Sequence, residues 1–166
     1  LKTYSAEDLQ TVFGEYGEVL NAKSLAQKIV QEREHRPIRT VGDLLGIIEP
    51  LVRGHKHRYL AQVFQALRIE VNDEMGALRE FLEATLDILK PGGRLVVISF
   101  HSLEDRMVKN LLKTGNVDGE VKSDFYGKIE RPFEQINKGV ITPSEEEMAK
   151  NTRARSAKLR IGIKKF

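Results

Sequence analysis

The sequence predicts an α/β chain in which a small all-helical unit precedes part of a doubly wound sheet. Helical periodicity without any strand signal fills residues 1–50. Further on, a Leu-rich helical pattern ends at Pro91-Gly92-Gly93, the run Arg94–Phe100 is largely apolar, and a capped helix begins near Ser102. Helix, turn, buried strand and capped helix in this order are typical of α/β sheets.

Three short helices are predicted in the first part of the chain. Ser5 is a suitable N-cap for a helix over about residues 6–15. A second helix is predicted over about 19–35, and a third begins after Thr40 and ends at Pro50. Because short helices are marginal alone, we expect this unit to dock on something larger.

A basic loop covers Arg53–Arg58 and contains His55 and His57. Two imidazoles two residues apart would suit a metal ion, but no third ligand nearby supports one. A solvated loop, in a position to face phosphates, is the favoured alternative. Tyr59–Leu67 is predicted as a helix, and Asn72 is predicted to cap the next one.

The helix after Asn72 carries an apolar stripe of Met75, Leu78, Leu82, Leu86 and Leu89. The run Arg94–Phe100 then predicts a strand buried on both faces of a parallel sheet. Ser102, with Asp105 three places later, predicts a capping box at the start of a helix that reaches about Lys113.

The pattern is weaker between residues 114 and 142, where an extended strand is predicted near Lys128–Phe133. Ser144 with Glu147 three places later indicates another helix start. The alternating segment Ala157–Lys164 predicts a half-buried terminal strand.

Composition excludes several classes of protein. Hydrophobic residues make up 40% of the chain and charged residues 31%, which is typical of a soluble globular domain and not of a disordered chain. No apolar run approaches the ~20 residues that span a bilayer, so a membrane protein is excluded. There is no cysteine, and therefore no disulfide and no thiolate ligand. The opening at Leu1 leads us to expect a piece of a longer protein.

The net charge of +3 conceals an uneven distribution. Residues 148–166 contain seven basic side chains and no acidic one. A basic terminal stretch favours a nucleic-acid partner. A solvated strand with Lys and Arg on one face is an equally good explanation from charge alone.

The first candidate site follows the predicted central strand, at the sheet edge where α/β proteins bind ligands. It comprises His101, Ser102, Glu104, Asp105 and Arg106. One interpretation is a substrate-contact loop that hydrogen-bonds a polar ring or a ribose. The other is a capped helix with an Asp–Arg surface pair. A serine-hydrolase triad and a dinucleotide site are both unsupported, since neither the nucleophile elbow nor a glycine-rich phosphate loop is present.

The second candidate site lies just before the last predicted strand, at Arg153, Arg155 and Ser156. Two guanidinium forks and a hydroxyl at the mouth of a loop suit phosphate or carboxylate recognition. We favour this over an ordinary basic approach to a strand.

Several longer strings resemble a known family. They are Thr3-Tyr4-Ser5, Phe64–Ile69, Val71–Glu74, Val97–Arg106, Pro143–Glu147 and Arg153–Arg160. Together they resemble the bacterial small-subunit rRNA cytosine-N(4) methyltransferases (the RsmH or MraW family) from end to end. Two departures are Thr152, where the family usually has Pro, and Gln62-Val63, where it often has Arg-Thr.

The resemblance implies a Rossmann-like methyltransferase fold with a helical insert. The expected reaction is S-adenosylmethionine-dependent methylation of the exocyclic amine of a cytidine in the ribosomal decoding centre, in the cytoplasm. Residues 1–57 would be the helical insert and 58–166 the carboxyl-terminal half of the sheet domain. The resemblance places the donor pocket before Leu1, so no cofactor-binding residue is expected here. No metal site is expected either, since no third ligand lies near His55 and His57. The candidate sites above would face the target cytidine and the RNA phosphates.

Without the family's first four strands, the predicted strand 94–100 would be a bare edge, which is prone to pair with other chains. We therefore expect this chain to dimerise through that edge, to swap elements, or to pair with material outside this sequence. Two alternatives to an enzyme fragment stay open: an RNA-binding module that acts as it stands, and an inert fragment.

Overall fold

The computed structural model describes residues 1–121, 123, 127, 129, 131–137 and 139–166. The chain forms two compact units, Leu1–Glu74 and Met75–Phe166. The helices are α1 (Ala6–Thr11), α2 (Ala22–His35), α3 (Val41–Ile48), α4 (Lys56–Asn72), α5 (Glu74–Ile88), α6 (Ser102–Thr114) and α7 (Glu145–Lys150). The strands are β1 (Arg94–Ser99), β2 (Phe133–Gln135) and β3 (Lys158–Lys164). The sequence-based boundary after residue 57 falls in the first turn of α4.

The first unit is helical, and two of its predicted caps are confirmed. The hydroxyl of Ser5 accepts from Asp8 N at the start of α1, and that of Thr40 accepts from Asp43 N at the start of α3. Both form full capping boxes, because each aspartate accepts in return from the cap's backbone N–H. The chain continues past α1 as a π-helical turn, Val12–Tyr16.

Two details of this unit differ from the prediction. The second helix begins at Ala22 rather than near residue 19, because residues 20–21 form a turn in which Asn21 has a non-helical ψ of 37°. Asn72 is not an N-cap: α4 runs to this residue, and Asp73 turns the chain with a φ of 48°. The Asn72 side chain donates instead to Glu74 Oε1 at 3.2 Å.

The core of the first unit lies between α1, the π-helical turn, α2, α3 and α4. Its fully buried large side chains are Leu9, Phe13, Leu25, Ile29, Ile48 and Val63. Tyr59 is also buried, and its hydroxyl donates to Asn21 Oδ1 at 2.8 Å. This bond satisfies the polar end of an aromatic ring that the core encloses.

The second unit contains a three-stranded sheet in the order β1-β3-β2. Both outer strands pair with β3 in antiparallel fashion, so β1 and β2 run parallel to each other on either side of it. The predicted terminal strand is confirmed by β3. Of the strand predicted near residues 128–133, Lys128 and Glu130 lie outside the described residues. Among the others, Ile129 forms an isolated bridge with Ser123, and Phe133 begins β2, so the described strand starts later than predicted.

The prediction that β1 is buried on both faces within a parallel sheet is wrong for the described residues. Leu95 and Ser99 are buried on one face, whereas Val96 and Ile98 on the other are 55% and 57% exposed. The sole paired neighbour of β1 in the described sheet, β3, is antiparallel. An apolar run does not distinguish a strand covered on both faces from one with an uncovered apolar face.

Helix α6 covers the inner face of the sheet. Val108, Leu111 and Leu112 join Leu95 and Phe133 in a buried cluster. The close approach needs Gly162, since a Cβ there would lie 2.4 Å from Leu112 Cδ2. The outer face, formed by Val96, Ile98, Leu159, Ile161 and Ile163, is apolar and partly or fully exposed.

Candidate functional site

The amino-terminal turn of α6 is capped by His101 and not, as predicted, by Ser102. His101 Nδ1 accepts from Glu104 N at 3.4 Å, and Glu104 Oε2 accepts from His101 N at 3.3 Å. The same carboxylate oxygen accepts from Phe100 N at 2.8 Å. Glu104 therefore fixes the backbone at the end of β1, just where Phe100 leaves the sheet.

The imidazole of His101 is nearly enclosed, with a side-chain exposure of 9%. Its Nε2 lies 3.2 Å from Glu104 Oε1, in an alignment too poor for a hydrogen bond, and makes none to any other described atom. The neighbouring imidazole and the backbone N–H of Phe100 hold the pKa of Glu104 below its usual range, against the opposing effect of burial. Glu104 is thus an anion that organises the helix start.

Asp105 points away from this turn and towards the sheet. Its two carboxylate oxygens accept from Arg160 Nε and a terminal guanidinium nitrogen at 2.6 and 3.0 Å, and Lys158 Nζ lies 3.6 Å away. The guanidinium of Arg160 holds the pKa of Asp105 below its usual range. The pair ties α6 to β3. The interpretation of Asp105 and Arg106 as a surface ion pair is wrong, because Asp105 binds Arg160 and Arg106 is exposed.

A groove of about 530 Å³ opens beside the end of β1, and we call it the strand-end groove. It is lined by Ile98, Phe100, Ile141, Thr142, Pro143, Glu147, Asn151, Arg153, Ala154, Ala157 and Leu159. Its floor is apolar because Leu159 of β3 pairs with Ile98 on one side and with Ile141 on the other.

Arg153 and Arg155 stand on a short 3₁₀ turn, Thr152–Ser156, that enters β3. The Asn151 side chain caps this turn by accepting from Arg153 N at 3.2 Å. Both arginines and Ser156 are exposed, and neither guanidinium forms an ion pair with any described residue. Arg153 lines the strand-end groove.

The groove combines groups that suit a nucleotide. The Phe100 ring is 54% exposed at the groove and offers a stacking surface for a planar base. The Arg153 guanidinium offers a fork for a phosphate. Such a combination of aromatic ring and guanidinium is common where proteins bind unpaired nucleotides.

The structure separates the residues of the first candidate site: His101 and Glu104 support the edge of the strand-end groove, whereas Asp105 faces Arg160. From the second candidate site, Arg153 lines this groove. Ser102 is exposed in the first turn of α6. Sequence reasoning did not single out Phe100, although its position two residues after Ile98, which puts both side chains on one face of an extended strand, was a usable signal.

Within the described part of the chain, no helix has both the length and the apolar character needed to cross a membrane. The prediction of a basic loop over Arg53–Arg58 is wrong for its second half, because Lys56, His57 and Arg58 form the first turn of α4. The rings of His55 and His57 lie 5.7 Å apart between centroids.

Comparison with known proteins supports the resemblance seen in the sequence. The chain is 55% identical over 166 residues to the ribosomal RNA small subunit methyltransferase H of Bacteroides thetaiotaomicron, a match that covers 99% of this chain and 55% of that protein. The protein of the same description from Flavobacterium johnsoniae is 52% identical over 162 residues, covering 97% of this chain and 53% of that protein. The chain thus spans about half the length of the curated relatives it matches. The sequence model of the MraW methylase family matches residues 1–165, so the chain belongs to that family.

Proposed function

We propose that this chain is the RNA-facing part of an S-adenosylmethionine-dependent methyltransferase that modifies the exocyclic amine of a cytidine in small-subunit rRNA. The strand-end groove is the observation that carries the proposal, because it brings Phe100 and Arg153 together at the end of β1. Family membership and the names of the relatives support the reaction class. An rRNA substrate would place the protein in the cytoplasm.

The residues present do not fit the methyl donor. The donor carries a positive sulfonium, and the strand-end groove presents the Arg153 guanidinium with Glu147 as the one carboxylate among its lining residues. We propose that the donor pocket lies mainly outside this chain, in the part of the relatives that it does not match.

Calorimetric titration of S-adenosylmethionine into the 166-residue chain tests this placement, and we expect no saturable heat. The control is the same titration into the protein extended to the length of its relatives, where saturable binding is expected. Saturable binding by the 166-residue chain alone would contradict the placement and would indicate a complete donor site within it.

Within the strand-end groove, we propose that Phe100 stacks on the target base or its neighbour, and that Arg153 and Arg155 contact phosphates. Glu104 holds the position of Phe100 by accepting from its backbone N–H, and His101 holds Glu104. Ser102 and Arg106 are both exposed at the start of α6. That they contact the ribose or the base stays a prediction.

Replacing Arg153 and Arg155 by Ala should weaken binding of single-stranded RNA and flatten its salt dependence. Each phosphate contact contributes about 0.7 to the slope of log affinity against log salt concentration, so the double variant should lose about 1 to 2. Fluorescence anisotropy with a labelled oligonucleotide, at salt concentrations between about 50 and 200 mM, measures the slope.

The matched control is Lys90→Ala with Arg94→Ala, which removes two exposed cations of the second unit that lie outside the strand-end groove. Its slope should fall by less than that of the groove variant. An unchanged slope for Arg153→Ala with Arg155→Ala would remove the phosphate role from both residues.

We further propose that the helical insert, residues 1–57 within the unit Leu1–Glu74, recognises the RNA substrate. The segment Arg53–Arg58 supports this, since it leads into the first turn of α4, which starts after His55, and since Arg53, His57 and Arg58 are exposed. Lys56 is engaged with Glu49 at 2.8 Å. Crosslinking of bound RNA to Arg53–Arg58 tests the assignment, and crosslinks confined to the second unit would contradict it.

The unpaired edge of β1 predicts that the chain forms a dimer. Within the described sheet β1 pairs on one side only, and its outer face shows Val96, Ile98 and Phe100 at more than half exposure. We propose that two copies of this chain pair through this edge. Light scattering should give twice the monomer mass of 18.9 kDa, and Val96→Lys, outside the strand-end groove, should give the monomer. A monomeric unaltered chain would contradict this.

A further inference from the structure

A second groove, of about 510 Å³, lies beside α6 and β2, and we call it the basic groove. It is lined by Lys109, Leu112, Lys113, Arg131, Phe133, Glu134, Gln135, Arg160 and Lys165. Five of these nine side chains are cationic, and Glu134 is the one carboxylate among the described residues of the lining.

The cations come from separate parts of the fold. Lys109 and Lys113 are one turn apart on α6, which places them on the same side of the helix. Arg131 precedes β2, and Lys165 follows β3. The backbone N–H of Lys165 donates to Pro132 O at 2.8 Å, so the last two cations are held on adjacent strand ends.

These cations lack counter-charges within the described chain. Arg160 is neutralised by Asp105, but Lys109, Lys113, Arg131 and Lys165 form no ion pair with a described residue. Four unpaired like charges around one groove repel each other, and a bound anion would relieve that repulsion.

We propose that the basic groove binds the phosphate backbone of single-stranded RNA, as a contact zone separate from the strand-end groove. The inference rests on the proposed function in taking RNA as the polyanion. Arg153 and Arg155 precede β3, and Lys165 follows it. The strand-end groove is lined by Ile98 and Leu159 of the outer face, and the basic groove by Leu112 and Arg160 on the face that α6 covers. A chain of several phosphates that passes round the sheet, rather than a single nucleotide, is therefore the ligand that reaches both.

The test is RNA binding by the 166-residue chain in which Lys109, Lys113, Arg131 and Lys165 are replaced by Gln. All four side chains are exposed, so the fold should be retained, and the thermal midpoint checks this. We expect the slope of log affinity against log salt concentration to fall by about 2 to 3 for single-stranded RNA. At about 100 mM salt, the affinity should fall at least about tenfold.

The control is matched to the Lys109→Gln, Lys113→Gln double variant: it replaces Lys90 and Arg94 by Gln, which removes the same charge from exposed sites of the second unit outside the basic groove. Equal slopes in the two variants would overturn the proposal, because the effect would then be net charge alone. The Lys109→Gln, Lys113→Gln double variant should lose about half of the slope change, and gives the answer should the quadruple variant unfold.

A parallel titration with poly-glutamate separates RNA from an acidic protein segment. Loss of poly-glutamate binding with unchanged RNA binding would overturn the proposal in favour of a protein partner. The assay contains no methyl donor, so failure of methyl transfer, which would count against the proposed function, does not alter its outcome.

Discussion

Replacing Asp105 by Asn should lower the free energy of unfolding by about 3 kcal/mol, since removal of one partner leaves a largely buried charge without compensation. The side chains of Asp105 and Arg160 are only 12% and 15% exposed, and the pair is bidentate. The loss also leaves Arg160 near Lys158 with no carboxylate between them. Urea unfolding measures the change.

The control is Asp118→Asn, which removes the partner of Arg79. That pair is also bidentate, at 2.7 and 3.1 Å, but its side chains are 56% and 43% exposed. An exposed pair contributes about 1 kcal/mol or less. Similar losses in the two variants would show that burial does not strengthen the Asp105–Arg160 pair.

The same ion pair makes the free energy of unfolding depend on pH in acid. The pKa of Asp105 is lowered in the folded protein by Arg160, from an ordinary value of 3.8. Its contribution is therefore complete above the ordinary value and is lost as the pH falls through the lowered one. Asp105→Asn should remove this contribution. Below about pH 4, the free energy of unfolding of the variant should therefore fall less steeply than that of the unaltered chain, which urea unfolding at several pH values measures.

Gly17→Ala should lower the free energy of unfolding by about 2 to 3 kcal/mol, in the range for overpacked sites. A Cβ at this position would lie 2.7 Å from the carbonyl oxygen of Gln62 and 2.9 Å from that of Phe13. Both are backbone atoms of packed helical turns, so neither can move without disturbing the core between α4 and the π-helical turn. Urea unfolding followed by helical circular dichroism measures the loss.

Gly46→Ala is the matched control, because it makes the same chemical change in the same unit. Gly46 lies inside α3, and a Cβ there meets nothing within 4 Å. Alanine should stabilise the helix by roughly 0.5 to 1 kcal/mol. Destabilisation by Gly46→Ala, or no effect from Gly17→Ala, would contradict the packing described for this unit.

Much of the architecture was determined by the sequence itself. Ser5, Thr40 and Ser144 mark helix starts because a cap bonds to a backbone N–H three residues away, and such an interaction is written in neighbouring residues. The alternation in β3 is equally local. Family membership followed from strings such as Val97–Arg106, and it is confirmed.

The tertiary structure decided what the local pattern leaves open. Asp105 looked like a cap or a partner for Arg106, but its partner Arg160 is 55 residues away. The direction of β1 relative to its neighbour and the exposure of Val96 depend on which strand pairs with β1 and what covers each face. Local bonds can be recognised from residues a few positions apart, whereas ion pairs and grooves form only once distant elements pack together.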